Sequence, residues 1–466
     1  MLYKNQTVRL PIVPPVVKYY TQPGEEKLDY PAICCFAALG FFLDDDTYFT
    51  NKKAFRPATE YTFNGRGEVE SKKRYFQWHY TPRTISFQQA LDEFSNLIES
   101  SVQQETAGKG IILPISGGLD SRTLAATVAN RSDVFSYSYQ FEDGIPENDY
   151  GAAIAQATGF HFQGFTIPKG YLWNVIDALA KVNGCYAEFL NPRQMAVYGQ
   201  LVNKGDIFLL GHGGDLFFDS MGVEDNLTEK EQHEYLMKKL IKPSGWQLAE
   251  SLWKAWKLPG NFKEYVSARI LELLRRIEID NANARLRAFK TEYYVARWTA
   301  VNLELFQQQL PVCVPFFHDD MCRFICNVPE SHLGGRKLEI EYLKQKSPSL
   351  AKIPWQKVYP CDLYNYSKFD SLEIKIQRAW IKGKRELGKC LLNRRADASN
   401  WELQFLGKVN TNQLSRYLID HWNPAFISKE ISTDYFFKFQ QQGKAYVHAV
   451  TMLLTLALFG QKFYEA

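Results

Sequence analysis

Residues 110–115, Gly-Ile-Ile-Leu-Pro-Ile, form a short apolar run that leads directly into Ser116-Gly117-Gly118-Leu119-Asp120-Ser121, and a helical pattern follows over 122–130. A run this short and this apolar reads as a strand buried on both faces. Two adjacent glycines allow a tight turn and close approach of the backbone to a ligand. The helix that begins next offers unpaired N–H groups and the positive end of its dipole. Strand, glycine turn and helix together make an anion site suited to phosphate, to which Ser116 and Ser121 add hydroxyl donors. The segment lacks the Gly-Lys-Ser/Thr ending of a Walker loop, which excludes a P-loop NTPase. A carboxylate beside a bound phosphate repels it unless a cation lies between them, so Asp120 reads as a Mg²⁺ ligand.

The same alternation continues downstream. Residues 134–141, 160–167 and 206–210 read as strands, with helical stretches at 150–158 and between 167 and 206. This predicts an α/β fold: a parallel sheet with crossover helices. A helical pattern over 87–103 places Ala90, Leu91, Phe94, Leu97 and Ile98 on one face. Before it, aromatic-rich runs at 36–43, 48–51, 61–63 and 75–80 are broken by Asp44-Asp45-Asp46 and Asn64-Gly65-Arg66-Gly67 and read as strands and turns. Beyond 228 the pattern is mainly helical, with a long candidate over 262–306 that requires breaks. The expected organisation is a small β-rich unit at 1–88 and a large α/β unit with a helical C-terminal region at 89–466.

Composition narrows the partners. The 466 residues are 45% apolar and 23% charged with a net charge of +4, a globular balance without the basic block that would announce nucleic acid. The longest apolar stretches, 32–43 and 445–459, fall short of the about 20 residues a membrane helix needs. The N-terminal segment has no apolar core behind a basic start, so the expected location is cytoplasmic. Eight cysteines, at 34, 35, 185, 313, 322, 326, 361 and 390, are too sparse for a disulfide framework. Cys313, Cys322 and Cys326 lack the paired histidines of a zinc site and read as buried thiols.

Three further segments accompany the first. Gly211-His212-Gly213-Gly214-Asp215 follows the apolar strand at 207–210, Val314-Pro315-Phe316 precedes Asp319, and Ile353-Pro354-Trp355-Gln356-Lys357 lies near the end of the patterned region. SGGLDS resembles the pyrophosphate loop of the N-type ATP pyrophosphatases. All four landmarks, in this order across residues 90 to 370, resemble the synthetase domain of class B asparagine synthetases and β-lactam synthetases. The resemblance implies an adenine nucleotide alpha-hydrolase-like (PP-loop) domain that uses ATP and Mg²⁺. It implies a two-step ligation in which a substrate carboxylate attacks the α-phosphorus, pyrophosphate leaves, and an amine captures the acyl-adenylate. On that reading Ser116, Gly117, Gly118, Asp120, Ser121, Gly213 and Gly214 hold the nucleotide, and Asp120 and Asp215 hold metal. Lys357 stabilises charge developing on the phosphate or the tetrahedral carbon.

The departures carry information as well. His212 stands where asparagine synthetases have a carboxylate and β-lactam synthetases a tyrosine, a position that serves the amine step. With a reference pKa of about 6.5, His212 is the candidate base for the incoming amine. Leu216 and Cys313 replace an acidic residue and an arginine of asparagine synthetases, so aspartate as the substrate is not supported. Glutamine-dependent relatives expose cysteine at position 2, where this chain has Leu2, and Cys34 and Cys35 lie in an apolar run. The N-terminal unit therefore reads as a truncated glutaminase-like remnant. The expected substrates are a small-molecule or peptide carboxylate and an amine donor, with a partner protein or a second copy of the chain left open. Three alternatives stay open: an intramolecular cyclase of peptide or β-lactam type, a tRNA-modifying enzyme with the same loop, and a nucleotide-binding partner without catalysis.

Overall fold

The N-terminal part of the chain forms β1 (Thr7–Arg9), β2 (Tyr19–Thr21), α1 (Tyr30–Leu39), β3 (Lys52–Ala54), β4 (Thr59–Phe63) and β5 (Val69–Arg74) in a computed structural model that describes residues 3–142, 144–190, 193–380, 404–405, 407–422 and 424–464. β1, β4 and β5 make one antiparallel sheet, and β2 and β3 make another. Three expectations change here. Residues 36–39 close a helix instead of opening a strand, residues 48–51 carry only an isolated bridge from Phe49 to Leu28, and residues 75–80 carry no regular structure. The Asp29 side chain accepts the Ala32 N–H at 3.1 Å, Pro31 sits in the first turn, and Gly40 ends α1 at φ +81°. Residues 32–39 are all buried, so α1 has no polar face from which a helical period could be read.

The central sheet follows. α2 (Phe87–Thr106) opens on a capping box between Ser86 and Gln89. Next come β6 (Ile111–Pro114), α3 (Asp120–Thr127), β7 (Val134–Phe141), α4 (Glu147–Thr158), β8 (His161–Ile167), α5 (Tyr171–Asn183), β9 (Ile207–Leu209) and β10 (Val312–Cys313). The five strands β6–β10 are parallel in the order β10-β9-β6-β7-β8, the α/β sheet that the alternation predicts. The chain moves outward from β6 through β7 to β8, then returns to the other flank of β6 for β9. That reversal opens a crevice at the carboxyl ends of β6, β7 and β9, where open α/β sheets bind ligands.

The long candidate at 262–306 resolves into Phe262–Arg275, Ala282–Phe289, a π-helical stretch Lys290–Thr299 and Ala300–Gln307. Near the C-terminus the helical run Lys429–Tyr464 is long and apolar enough by composition to cross a membrane, which corrects the expectation from stretch length. Its apolar window is 78% buried inside the protein, and Val447–Phe459 is buried along its whole length. Tyr48 stacks on Phe459 with ring centroids 3.6 Å apart, and the Tyr48 hydroxyl donates to the Cys185 carbonyl. One hydrophobic core thus takes in residues from Ile12 to Phe459. The seven described cysteines are buried thiols, and Cys390 lies outside the described residues.

His448, on the same buried C-terminal helix, donates from Nε2 to the Ala37 carbonyl at 2.9 Å, and burial lowers its pKa to about 4. An unfolded histidine titrates at about 6.5. Between the two values the unfolded chain binds a proton that the folded chain refuses. This contribution to stability is complete above the upper value and is lost as pH falls through the window. His448→Gln removes it. The stability gap between wild type and this variant, read from urea unfolding, should narrow by about 2 kcal/mol on going from about pH 7 to about pH 5.

Candidate active site

β6 delivers the first glycine turn to the crevice. The Ser116 N–H donates to Ser121 Oγ at 3.1 Å, the two hydroxyls are 3.2 Å apart, and the Gly118 N–H reaches Ser116 Oγ at 3.3 Å. These bonds close the turn over the start of α3. At Gly117 an added Cβ would fall 2.7 Å from the Cβ of Gln356 and 2.9 Å from the Tyr150 ring. Only glycine lets the Lys357 segment lie on this turn, where the Gln356 N–H donates to the Gly117 carbonyl at 3.2 Å.

Arg122 secures the same junction. Its buried guanidinium donates to the carbonyls of Ile353 at 2.8 Å, Pro354 at 3.0 Å, Leu350 at 3.3 Å and Gly117 at 3.4 Å. It is committed to backbone carbonyls in the interior of the protein. With no carboxylate beside it, burial pulls its pKa down to about 10.

β9 delivers the second turn. Gly213 takes φ +97°, and a Cβ there would meet the Phe317 ring at 2.6 Å. A Cβ on Gly214 would fall 2.6 Å from Asp120 Oδ1, and one on Gly211 would lie 3.0 Å from the same residue. The bare backbone lets Asp120 and Asp215 converge from different strands. Burial raises the Asp120 pKa, Arg336 opposes this, and Asp215 adds to it. Arg336 also pairs with Glu339, a fully buried carboxyl that burial lifts to about 8. Asp120 and Glu339 thus share one guanidinium, with Asp215 close enough to raise the pKa of both. Asp120 and Asp215 bring two carboxylates to the site, a donor set that fits Mg²⁺ when phosphate oxygens complete its coordination.

Both turns open on a cavity of about 780 Å³. Ser116, Gly118, Asp120, Ser121, His212, Gly213, Asp215 and Lys357 line it, while Gly117 and Gly214 lie behind its surface, where their missing side chains serve packing. His212 follows β9 with its ring 6.1 Å from that of Phe306, and its Nδ1 is buried with no hydrogen-bond partner among the described residues. Burial lowers its pKa to about 4, Asp215 opposes the shift, and Arg193 adds to it, so the ring is neutral at pH 7. Lys357 reaches the rim with its side chain 67% exposed; Nζ is 3.7 Å from Asp219 Oδ2 and 5.7 Å from the Trp355 ring centroid. Asp319 does not enter the cavity; its carboxylate accepts the Ile12 N–H at 2.9 Å and anchors the N-terminal segment.

The opposite wall went unseen in the sequence. Lys290, Tyr294, Trp298 and Asn302 line the cavity at intervals of four residues, which the wide π-helical turn brings onto one face. Lys290 has no ion-pair partner among the described residues, and burial lowers its pKa against the pull of Asp215. Arg193 joins it from beyond α5, over the Tyr139 ring. The signal available was this four-residue series of polar and aromatic side chains, Lys290, Tyr294, Trp298 and Asn302.

The sequence profile of the asparagine synthase family matches residues 93–341, more than half of the chain. The match includes both glycine turns and ends before Lys357. No curated protein matches the chain. Among solved structures, NMN synthetase from Francisella tularensis is 13% identical, with 44% of this chain and 92% of that chain covered and a TM-score of 0.23. NH3-dependent NAD synthetase from Campylobacter jejuni, in complex with the nitrate ion, is 16% identical, with 42% and 84% covered and a TM-score of 0.20. Scores this low leave the assignment to the family match and to the glycine turns it covers: the chain belongs to the asparagine synthase family.

Proposed function

We propose that this protein is an ATP-dependent, AMP-forming amide ligase of the cytoplasm that activates a small-molecule or peptide carboxylate and passes it to an amine. The observation that best supports this is the meeting of Asp120 and Asp215, from two separate glycine turns, on one cavity whose rim carries Lys357. In the first step a carboxylate oxygen bonds to the α-phosphorus and the bond to the β-phosphate oxygen breaks. The pyrophosphate leaves on the N–H groups and hydroxyls of the Ser116–Ser121 turn. Asp120 and Asp215 would hold Mg²⁺, which would supply positive charge for the leaving group. Lys357 stabilises negative charge at the phosphate.

In the second step the amine nitrogen bonds to the acyl carbon, the bond to AMP breaks, and His212 takes the proton. Its low pKa keeps it unprotonated throughout the neutral range, and its unpartnered Nδ1 leaves a site for that proton. Lys290 and Arg193 give the acceptor end a positive potential suited to an anionic substrate. The nitrogen comes from the substrate amine or from ammonia, without glutamine hydrolysis. Burial raises both thiols of the N-terminal unit, Cys35 to about 12, which leaves no thiolate nucleophile at neutral pH.

The test is incubation with Mg²⁺, ATP and a panel of carboxylic acids in the presence of hydroxylamine, which traps acyl-adenylates as hydroxamates. At least one acid should yield hydroxamate, AMP and pyrophosphate in equal amounts. Asp120→Asn should cost on the order of 10²–10³-fold in that yield. Release of ADP and phosphate, or undiminished turnover by the variant, would overturn the reading.

His212→Ala should separate the two steps. Hydroxylamine is nucleophilic without a base, so hydroxamate formation should persist, whereas amide formation with an ordinary amine should fall roughly 10²- to 10⁴-fold. Loss of both products would move His212 to nucleotide binding.

A further inference from the structure

Lys357 presents a mechanical problem. It is a long side chain, two-thirds exposed, and a free lysine at the rim of a cavity loses rotamer entropy each time it is drawn to a phosphate. Its only ion-pair partner among the described residues is Asp219, 3.7 Å away through Oδ2. Asp219 does not line the cavity, and it is itself held firmly. Its Oδ1 accepts the N–H of Ser220 at 2.9 Å and that of Gly335 at 2.8 Å. Its backbone carbonyl accepts from Arg287 at 3.0 Å, and Arg287 is buried and forked onto Glu330 at 2.6 and 2.7 Å.

The Gly335 contact has its own consequence. Gly335 and Arg336 both adopt left-handed backbone, at φ +76° and +61°, a conformation that costs a non-glycine residue energy and must be held from outside. The Asp219 carboxylate supplies part of that hold, and Arg336 reaches from this turn to Asp120. One carboxylate oxygen therefore braces the turn that carries the partner of Asp120, while the other faces Lys357.

We infer that Asp219 is a positioning residue that acts through Lys357, holding its ammonium at the cavity rim before nucleotide arrives. The inference rests on the role given to Lys357 under Proposed function. It predicts that the charge on Asp219 matters only while Lys357 is present.

The experiment is calorimetric titration of the full chain with inorganic pyrophosphate in the presence of Mg²⁺, on wild type, Asp219→Asn, Lys357→Ala and the double variant. The amide of Asp219→Asn keeps an oxygen for Ser220 and Gly335 and removes only the charge, so its melting temperature should match wild type. It should weaken pyrophosphate binding by about two- to fivefold, the range of a largely exposed ion pair. Lys357→Ala should weaken it by more, roughly tenfold, as a lost charged contact to phosphate. The double variant should bind as Lys357→Ala does. Unchanged affinity in Asp219→Asn beside a weakened Lys357→Ala overturns this inference alone, as do losses that multiply in the double variant. Unchanged affinity in Lys357→Ala overturns the assigned role of the lysine and this inference with it.

Discussion

The guanidinium of Arg122 is the contact on which the site depends. It stands in the first turn of α3, directly behind the Ser116–Ser121 loop, and is shut away from water with four backbone carbonyls and no carboxylate around it. A buried charge is tolerated only where hydrogen bonds replace its hydration. The carbonyls of residues 350, 353 and 354 supply these, and in doing so the segment that ends in Lys357 is bound to the loop that follows β6. Residues more than 200 positions apart in sequence become one wall of the cavity. Gly117 completes the joint, since any side chain there would push Gln356 away.

The second organising constraint is electrostatic. Asp120 and Glu339 both pair with Arg336, Asp215 lies close enough to raise the pKa of both, and burial makes each added negative charge costly. A fold does not gather carboxylates in this way for stability, because the unpaired ones oppose it. The proposed function completes the arrangement with a cation, and the positive groups Lys290, Arg193 and Lys357 are distributed around the rest of the cavity. The π-helical stretch Lys290–Thr299 contributes in the same way, since a wider turn with weaker hydrogen-bond geometry is kept where it directs side chains at one point. It turns Lys290, Tyr294 and Trp298 into the cavity that Asp120 and Asp215 also line.

What could be read from the sequence had a local cause. Ile111 to Ile115, the two glycines and the helical pattern after them specify strand, turn and helix within some twenty residues, and the parallel alternation from 134 to 210 follows the same logic. The apolar segments around α1 and the C-terminal helices were harder, because a segment buried on every side shows no period. Tyr48 against Phe459 is a contact that neither neighbourhood announces.

The sequence by itself determined the parallel α/β core and the strand, glycine turn and helix that open it, since each rests on residue spacing within one element or across one turn. The tertiary structure alone decided that Arg122 ties two distant segments together, that Gly117 and Gly214 serve packing behind the cavity, and that His212 is buried, which lowers its pKa, with Nδ1 unpartnered among the described residues. It also placed Lys290 on the cavity wall and Asp219 beside Lys357 at its rim. These properties come from burial and from contacts across hundreds of residues, and the energy of a charge or a missing side chain is fixed only by what folds against it.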